Sequence, residues 1–138
     1  MANLTVEIVT PEAALWQGQA TSLKSRTSDG ELMILAQHAP LVGDVLAGVL
    51  EVTSADGVAY VAVDGGYLHV VGGDHVSIVT ELCEGWNEID AAKAKADYDT
   101  ALAALTATRE DIASATWRAR KHDVELAETR LRVVASKP

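Results

Sequence analysis

Hydrophobic and polar positions change their spacing once along this chain. Near the start, Leu4, Val6 and Ile8 alternate with Asn3, Thr5 and Glu7, the period of a strand with one buried face. Residues 58–63 and 76–80 are β-branched and aromatic runs of strand length. Between such runs stand Asp29-Gly30, Asp56-Gly57, Asp64-Gly65-Gly66 and Gly72-Gly73-Asp74, the residue types of tight hairpin turns. This grammar predicts an antiparallel sandwich or barrel of about eight to ten short strands, with Cys83 just after the last. Beyond Trp86 the period becomes helical. Asn87 is the expected N-cap, with Asp90 three positions on. Ala91, Ala94, Tyr98, Leu102 and Leu105 then recur at i+3/i+4 spacing. Thr108 and Asp111 form a second capping signature before Ile112, which puts the turn at residues 106–108. A stripe of Ala113, Trp117, Arg120, Val124, Ala127, Leu131 and Val134 predicts a second helix folded back on the first, interrupted at Arg120.

The predicted fold class is α+β by segregation. Residues 1–85 form an antiparallel β-sandwich and residues 86–138 an antiparallel two-helix hairpin. Composition supports the boundary. All ten glycines precede Trp86, whereas thirteen alanines follow it. Residues 1–85 hold eleven acidic side chains against Lys24 and Arg26, and the rest of the chain holds nine of each sign. The whole net charge of −9 therefore belongs to the sandwich. Alanine seams let helices approach closely but bury little area, and short isolated helices are marginal in water. The expectation is a stable acidic sandwich carrying a helical appendage that could detach.

The excess of carboxylates makes phosphate backbones and anionic membrane surfaces poor partners. The sequence has no apolar run of the length a membrane helix needs. Its first residues lack the basic-then-apolar pattern of a secretory signal, which predicts a cytosolic chain. One cysteine cannot form an intrachain disulfide, and Cys83 reads as a small buried hydrophobe. His69 and His75, with Asp74, offer a metal site only in outline, without an evident third ligand of the right spacing. Asp44, Asp56 and Asp64 read as solvated turn residues. No catalytic constellation stands out, so the chain is expected to work by contact.

Specific residues then become informative. The segment from Asp29 to Leu41, Asp-Gly-Glu-Leu-Met-Ile-Leu-Ala-Gln-His-Ala-Pro-Leu, resembles the Gly-Glu-Leu-Gly-Ile-Leu-Pro-Gly-His-Ala-Pro-Leu segment of the F-type ATP synthase epsilon subunit family. Asp64-Gly-Gly-Tyr-Leu-His-Val resembles that family's Gly-Gly-Phe-Leu-Glu-Val strand. Ile89-Asp-Ala-Ala-Lys-Ala is similar to its Ile/Leu-Asp-x-x-Arg-Ala signature, with Lys93 for Arg, and Arg130-Leu-Arg-Val to its Arg-Leu-x-Val. Met33 replaces the usual Gly, and Ala36-Gln37 the usual Pro-Gly.

The resemblance implies a non-catalytic rotor subunit of a proton-translocating enzyme, coupling the gamma subunit to the ring of c subunits. The helical hairpin would regulate ATP hydrolysis, either folded on the sandwich or extended into the alpha/beta catalytic head. On the same grounds Glu31, His38, Ala39 and Pro40 are expected to touch the c ring. Glu84, Ile89, Asp90, Lys93, Ala94 and Arg130 match the family's ATP-binding pattern, although Lys93 lacks the planar fork of arginine. Leu126 stands where a further phosphate-contacting arginine is expected. ATP is thus expected as a weak regulatory ligand, and no cofactor is required. Arg118, Arg120 and Lys121 would meet the catalytic head in the extended state. The implied location is the cytoplasmic face of a bacterial membrane, as a peripheral part of the complex. The competing reading is a free-standing cytosolic interaction adaptor.

Overall fold

The computed structural model describes residues 3–36, 39–72, 74–109 and 114–136. Eight strands come first: β1 (Leu4–Val9), β2 (Ala14–Ala20), β3 (Ser22–Thr27), β4 (Gly30–Leu35), β5 (Leu41–Asp44), β6 (Gly48–Ser54), β7 (Gly57–Val71) and β8 (His75–Gly85). A 3-10 turn at Trp86–Glu88 leads into α1 (Ala91–Ala107) and α2 (Ala115–Ala135). No helix among the described residues is long and apolar enough to cross a membrane. The strands are bonded in the order β2-β1-β8-β7-β6-β3-β4, with β5 added to β7. Among the described residues all pairs are antiparallel but one. β1 runs parallel to β8, with Thr5 opposite His75 and Val9 opposite Val79. The sandwich is therefore mixed at that seam. Alternation along a strand reports which face is buried and says nothing about the direction of its neighbour.

β7 organises the two layers. Gly65 and Gly66 lie inside it with φ of +76° and +103°, so they form a mid-strand corner and not the hairpin turn expected from their sequence. Before the corner β7 pairs with β6, from Ser54 opposite Gly57 to Gly48 opposite Val63. Beyond it β7 pairs with β5, from Asp44 opposite Tyr67 to Leu41 opposite Val70. β8 follows β7 through both parts. One hairpin thereby serves both layers, and Leu4, Val6, Leu23, Ile34, Leu50, Leu68 and Ile78 are fully buried in the core.

The corner is tied by Thr80, fully buried opposite Gly66. Its hydroxyl accepts from the Asp64 amide at 3.3 Å and shares its proton between the carbonyls of Asp64 and Leu82, at 3.0 and 2.9 Å. Asp64 is thus a strand residue at a fixed corner. Asp44 is likewise in a strand, and its carboxylate accepts from the Ser28 amide at 2.9 Å and hydroxyl at 3.1 Å. The hydrogen bond from the Ser28 amide, against some desolvation, lowers the Asp44 pKa. Cys83 lies within β8 and not beyond it. Its thiol is pushed up to about 11, chiefly by burial and then by Glu88 and Glu84, so it is protonated and inert at neutral pH.

The helices start later than their capping signatures predict. Asn87 sits in the 3-10 turn, and Asp90 caps α1 by accepting from the Lys93 amide at 3.1 Å. The carboxylate three residues closer to the alanine run reaches the orphan amides that Asn87 cannot. α1 ends at Ala107, inside the predicted turn, with Thr108 as its C-cap, and Ser114 caps α2 by accepting from the Trp117 amide. Asp111, Ile112 and Ala113 lie outside the described residues.

A side chain at Gly66 would collide with the Val79 carbonyl oxygen, whereas one at Gly57, also at positive φ, meets open space. Gly66→Ala should cost about 2–4 kcal/mol and Gly57→Ala about 1–2 kcal/mol. Denaturant unfolding of the two variants checks the order, and equal costs would remove the corner from its structural role.

Candidate functional site

The two helices meet the strands unequally. α1 packs against α2, and α2 packs in turn on β6, β7, β8 and the 3-10 turn. α1 buries only Ala94, and Leu102 of its predicted seam stays 40% exposed. α2 buries Val124, Ala127, Thr129 and Val133. Val124 and Ala127 belong to the predicted stripe. Thr129 and Val133 do not, because α2 has a second covered face, and a 3-4 spacing traces only one. A cleft of about 770 Å³ runs between α2 and strands β3 and β6, lined by Lys24, Arg26, Glu51, Tyr60, Thr129 and Arg132 among others.

Among the described residues, three charged contacts join α2 to the sandwich. Arg130 Nε donates to Glu84 Oε1 of β8 at 2.7 Å. His122 Nε2 lies 2.7 Å from Asp64 Oδ2 at the β7 corner. Arg26 of β3 lies 3.7 Å from Glu125 and also donates to the Ala47 carbonyl at 2.9 Å. Asp64, His122, Arg26 and Glu125 were not among the sequence-derived site residues. Their partners lie tens of residues away, and no local period marks such pairs. Asp64 in particular reads as a turn residue, yet its side chain is only 16% exposed.

The expected nucleotide set is partly assembled. Glu84 and Arg130 are brought together, and Asp90, Lys93 and Ala94 share the first turns of α1, just after Ile89. Both cations of the set are already engaged, Arg130 by Glu84 and Lys93 by Asp97 at 3.0 Å. In the expected c-ring set, Glu31 is in β4, 3.3 Å from Lys24. Ala39 and Pro40 follow the far end of that strand, so β4 separates them from Glu31. His38 lies outside the described residues. Of the three cations expected to meet the catalytic head, Lys121 lies over the Trp117 ring at 5.4 Å and 3.9 Å from Glu125. Arg118 is exposed, and Arg120 is half-buried with no ion pair among the described residues. Glu128 and Arg132 form an i,i+4 pair at 3.7 Å. His75 lies 3.7 Å from Glu7, and no group of three or more His, Cys, Asp or Glu among the described residues could hold a metal.

With that geometry in hand, the similarities are specific. Residues 3–85 match the family described as ATP synthase, Delta/Epsilon chain, beta-sandwich domain, a match that ends where β8 ends. The chain is 41% identical over 98 residues to the ATP synthase epsilon chain of Rhodococcus jostii, covering 70% of this chain and 80% of that one. It is 34% identical over 119 residues to the ATP synthase epsilon chain of Streptomyces avermitilis, covering 86% and 95%. Among solved structures, a chain of the Euglena gracilis mitochondrial ATP synthase OSCP/F1/c-ring assembly superposes with a TM-score of 0.81 at 25% identity, covering 98% of this chain and 82% of that one.

Arg130→Met keeps the aliphatic stem and removes the charge. It should weaken docking of α2 by about 1 kcal/mol, the upper end for a part-exposed pair. Faster amide exchange in α2 with unchanged exchange in β1, β3 and β6 is the expected result. Unchanged α2 exchange would show that the pair adds nothing.

Proposed function

The chain belongs to the ATP synthase delta/epsilon chain family and is a non-catalytic, central-stalk subunit, and from that premise we propose a division of labour between its parts. The sandwich is the stalk-binding body, seated between the gamma subunit and the c ring at the cytoplasmic face of a bacterial membrane. The hairpin is a detachable regulator of ATP hydrolysis. One observation carries this reading: α1 buries a single alanine, and α2 is seated by a few buried side chains and three charged contacts on a sandwich whose core is made of its own residues. A regulatory element with two positions needs both within a few kcal/mol of each other. Detaching this hairpin leaves the sandwich core intact.

In the extended position Arg118, Arg120 and Lys121 would face acidic groups of the catalytic head. Arg120 suits that role, since it occupies a half-buried place in the helix seam without an ion pair among the described residues. Glu31, His38, Ala39 and Pro40 are the proposed c-ring contacts. Because β4 lies between Glu31 and Ala39, such a contact surface extends along the strand and not at one loop tip. ATP would compete with Glu84 for Arg130 and with Asp97 for Lys93, which makes it a weak ligand of the docked state.

Removing residues 86–138 from the assembled enzyme should raise ATP hydrolysis several-fold while the shortened chain still co-purifies with gamma. Unchanged hydrolysis would sink the regulatory role. Loss of gamma binding would sink the assignment of that contact to the sandwich.

A further inference from the structure

One of the three charges that seat α2 belongs to a histidine. His122 Nε2 lies 2.7 Å from Asp64 Oδ2, with the carboxylate side chain 16% exposed and the imidazole 50% exposed. The carboxylate is the fixed partner. Its own backbone is held by Thr80 on β8 and is followed by the Gly65-Gly66 corner. The imidazole is the moving partner, because it travels with α2. The charges acting on it are Asp64 from β7 and, on its own helix, Asp123 and Glu125. Arg26 on β3 and Lys121 both pair with Glu125. On the neighbouring α1, Lys93 pairs with Asp97 and Lys95 with Asp99.

We infer that the His122–Asp64 contact is a pH-sensitive clasp that holds the helical hairpin on the sandwich. The hydrogen bond to Asp64 raises the imidazole pKa, partial burial opposes it, and the carboxylate charges add to the rise. Released from Asp64, the imidazole titrates near its ordinary value of about 6.5. Below that value both positions of the hairpin carry the proton, and the clasp contributes fully. Between the released and docked values only the docked hairpin keeps the proton, so docking weakens as pH rises. Above the docked value a neutral contact remains. Of the three contacts that seat α2, the one that includes a histidine is His122–Asp64, and histidine is the side chain whose ordinary charge change falls between pH 5 and 8. On the regulatory reading above, on which this consequence rests, mild acid favours the docked hairpin and mild alkali frees it.

The test uses the full isolated chain. The His122 imidazole is titrated by NMR, and amide exchange in α2 is compared at pH 6 and 8.5 after correction for the intrinsic chemical rate. His122 should titrate above about 6.5. Protection at Val124 and Ala127 should be about two- to fivefold greater at pH 6, the range of a part-exposed ion pair. His122→Gln keeps a donor that does not titrate, and Asp64→Asn removes the charge. Each should show equal protection at the two pH values, with sandwich amides as in the parent chain. A pH dependence that survives in both variants, or a His122 titration unmoved by Asp64→Asn, would overturn the clasp. A clasp seen in the isolated chain without any pH effect on hydrolysis by the assembled enzyme would count against the regulatory reading alone.

Discussion

The β7–β8 hairpin has to serve both layers of the sandwich, and it can do so only by bending at Gly65-Gly66. Strand β7 gives its first part to β6 and its last part to β5, while β8 accompanies it throughout. The bend needs positive φ at two successive residues and backbone contact where a side chain would stand. Thr80 then supplies hydrogen bonds to the backbone beside the corner. The same hairpin carries two of the anchors for α2, Asp64 at the corner and Glu84 near its end. The geometry that closes the core therefore also sets where the helical hairpin can sit.

The energetics of the two parts differ in kind. Large aliphatic side chains fill the sandwich interior, and each fully buried one contributes roughly 1.5–3 kcal/mol. The hairpin is alanine-rich, and Ala94 is the one fully buried residue of its outer helix. Its attachment depends on a few side chains of α2 and on three ion pairs, each worth about 0.2–1 kcal/mol where water reaches it. Small contributions of this kind suit an element that leaves and returns. They also make docking responsive to solution conditions to which the sandwich core is indifferent.

Much of this organisation was legible in the sequence. Alternation marked the strands, and Gly30 and Gly57 marked two of the turns. The i+3/i+4 stripes marked both helices, and the change of composition at Trp86 marked the boundary near residue 85. Legibility failed where the determining fact is long-range. Gly65-Gly66 looks like a turn because positive φ is the same requirement in a turn and in a bent strand. The parallel seam of β1 with β8 and the second buried face of α2, at Thr129 and Val133, leave no local signature. In the candidate site, Glu84 and Arg130 entered only through family resemblance. Asp64 and His122 were missed because an ion pair spanning two parts of a chain has no period to read.

The central claim is that charge, as well as apolar area, holds the hairpin on the sandwich. Ionic strength separates the two, since the screening length falls from about 10 Å at 0.1 M to about 3 Å at 1 M, while apolar contacts do not weaken with added salt. The direct measurement is the distance distribution between a spin label on the exposed face of α1 and one on β1, in the full isolated chain, at low and high sodium chloride. The account predicts a docked distance at low salt and a growing population of longer distances at 1 M. A docked population that stays constant or increases with salt would contradict it.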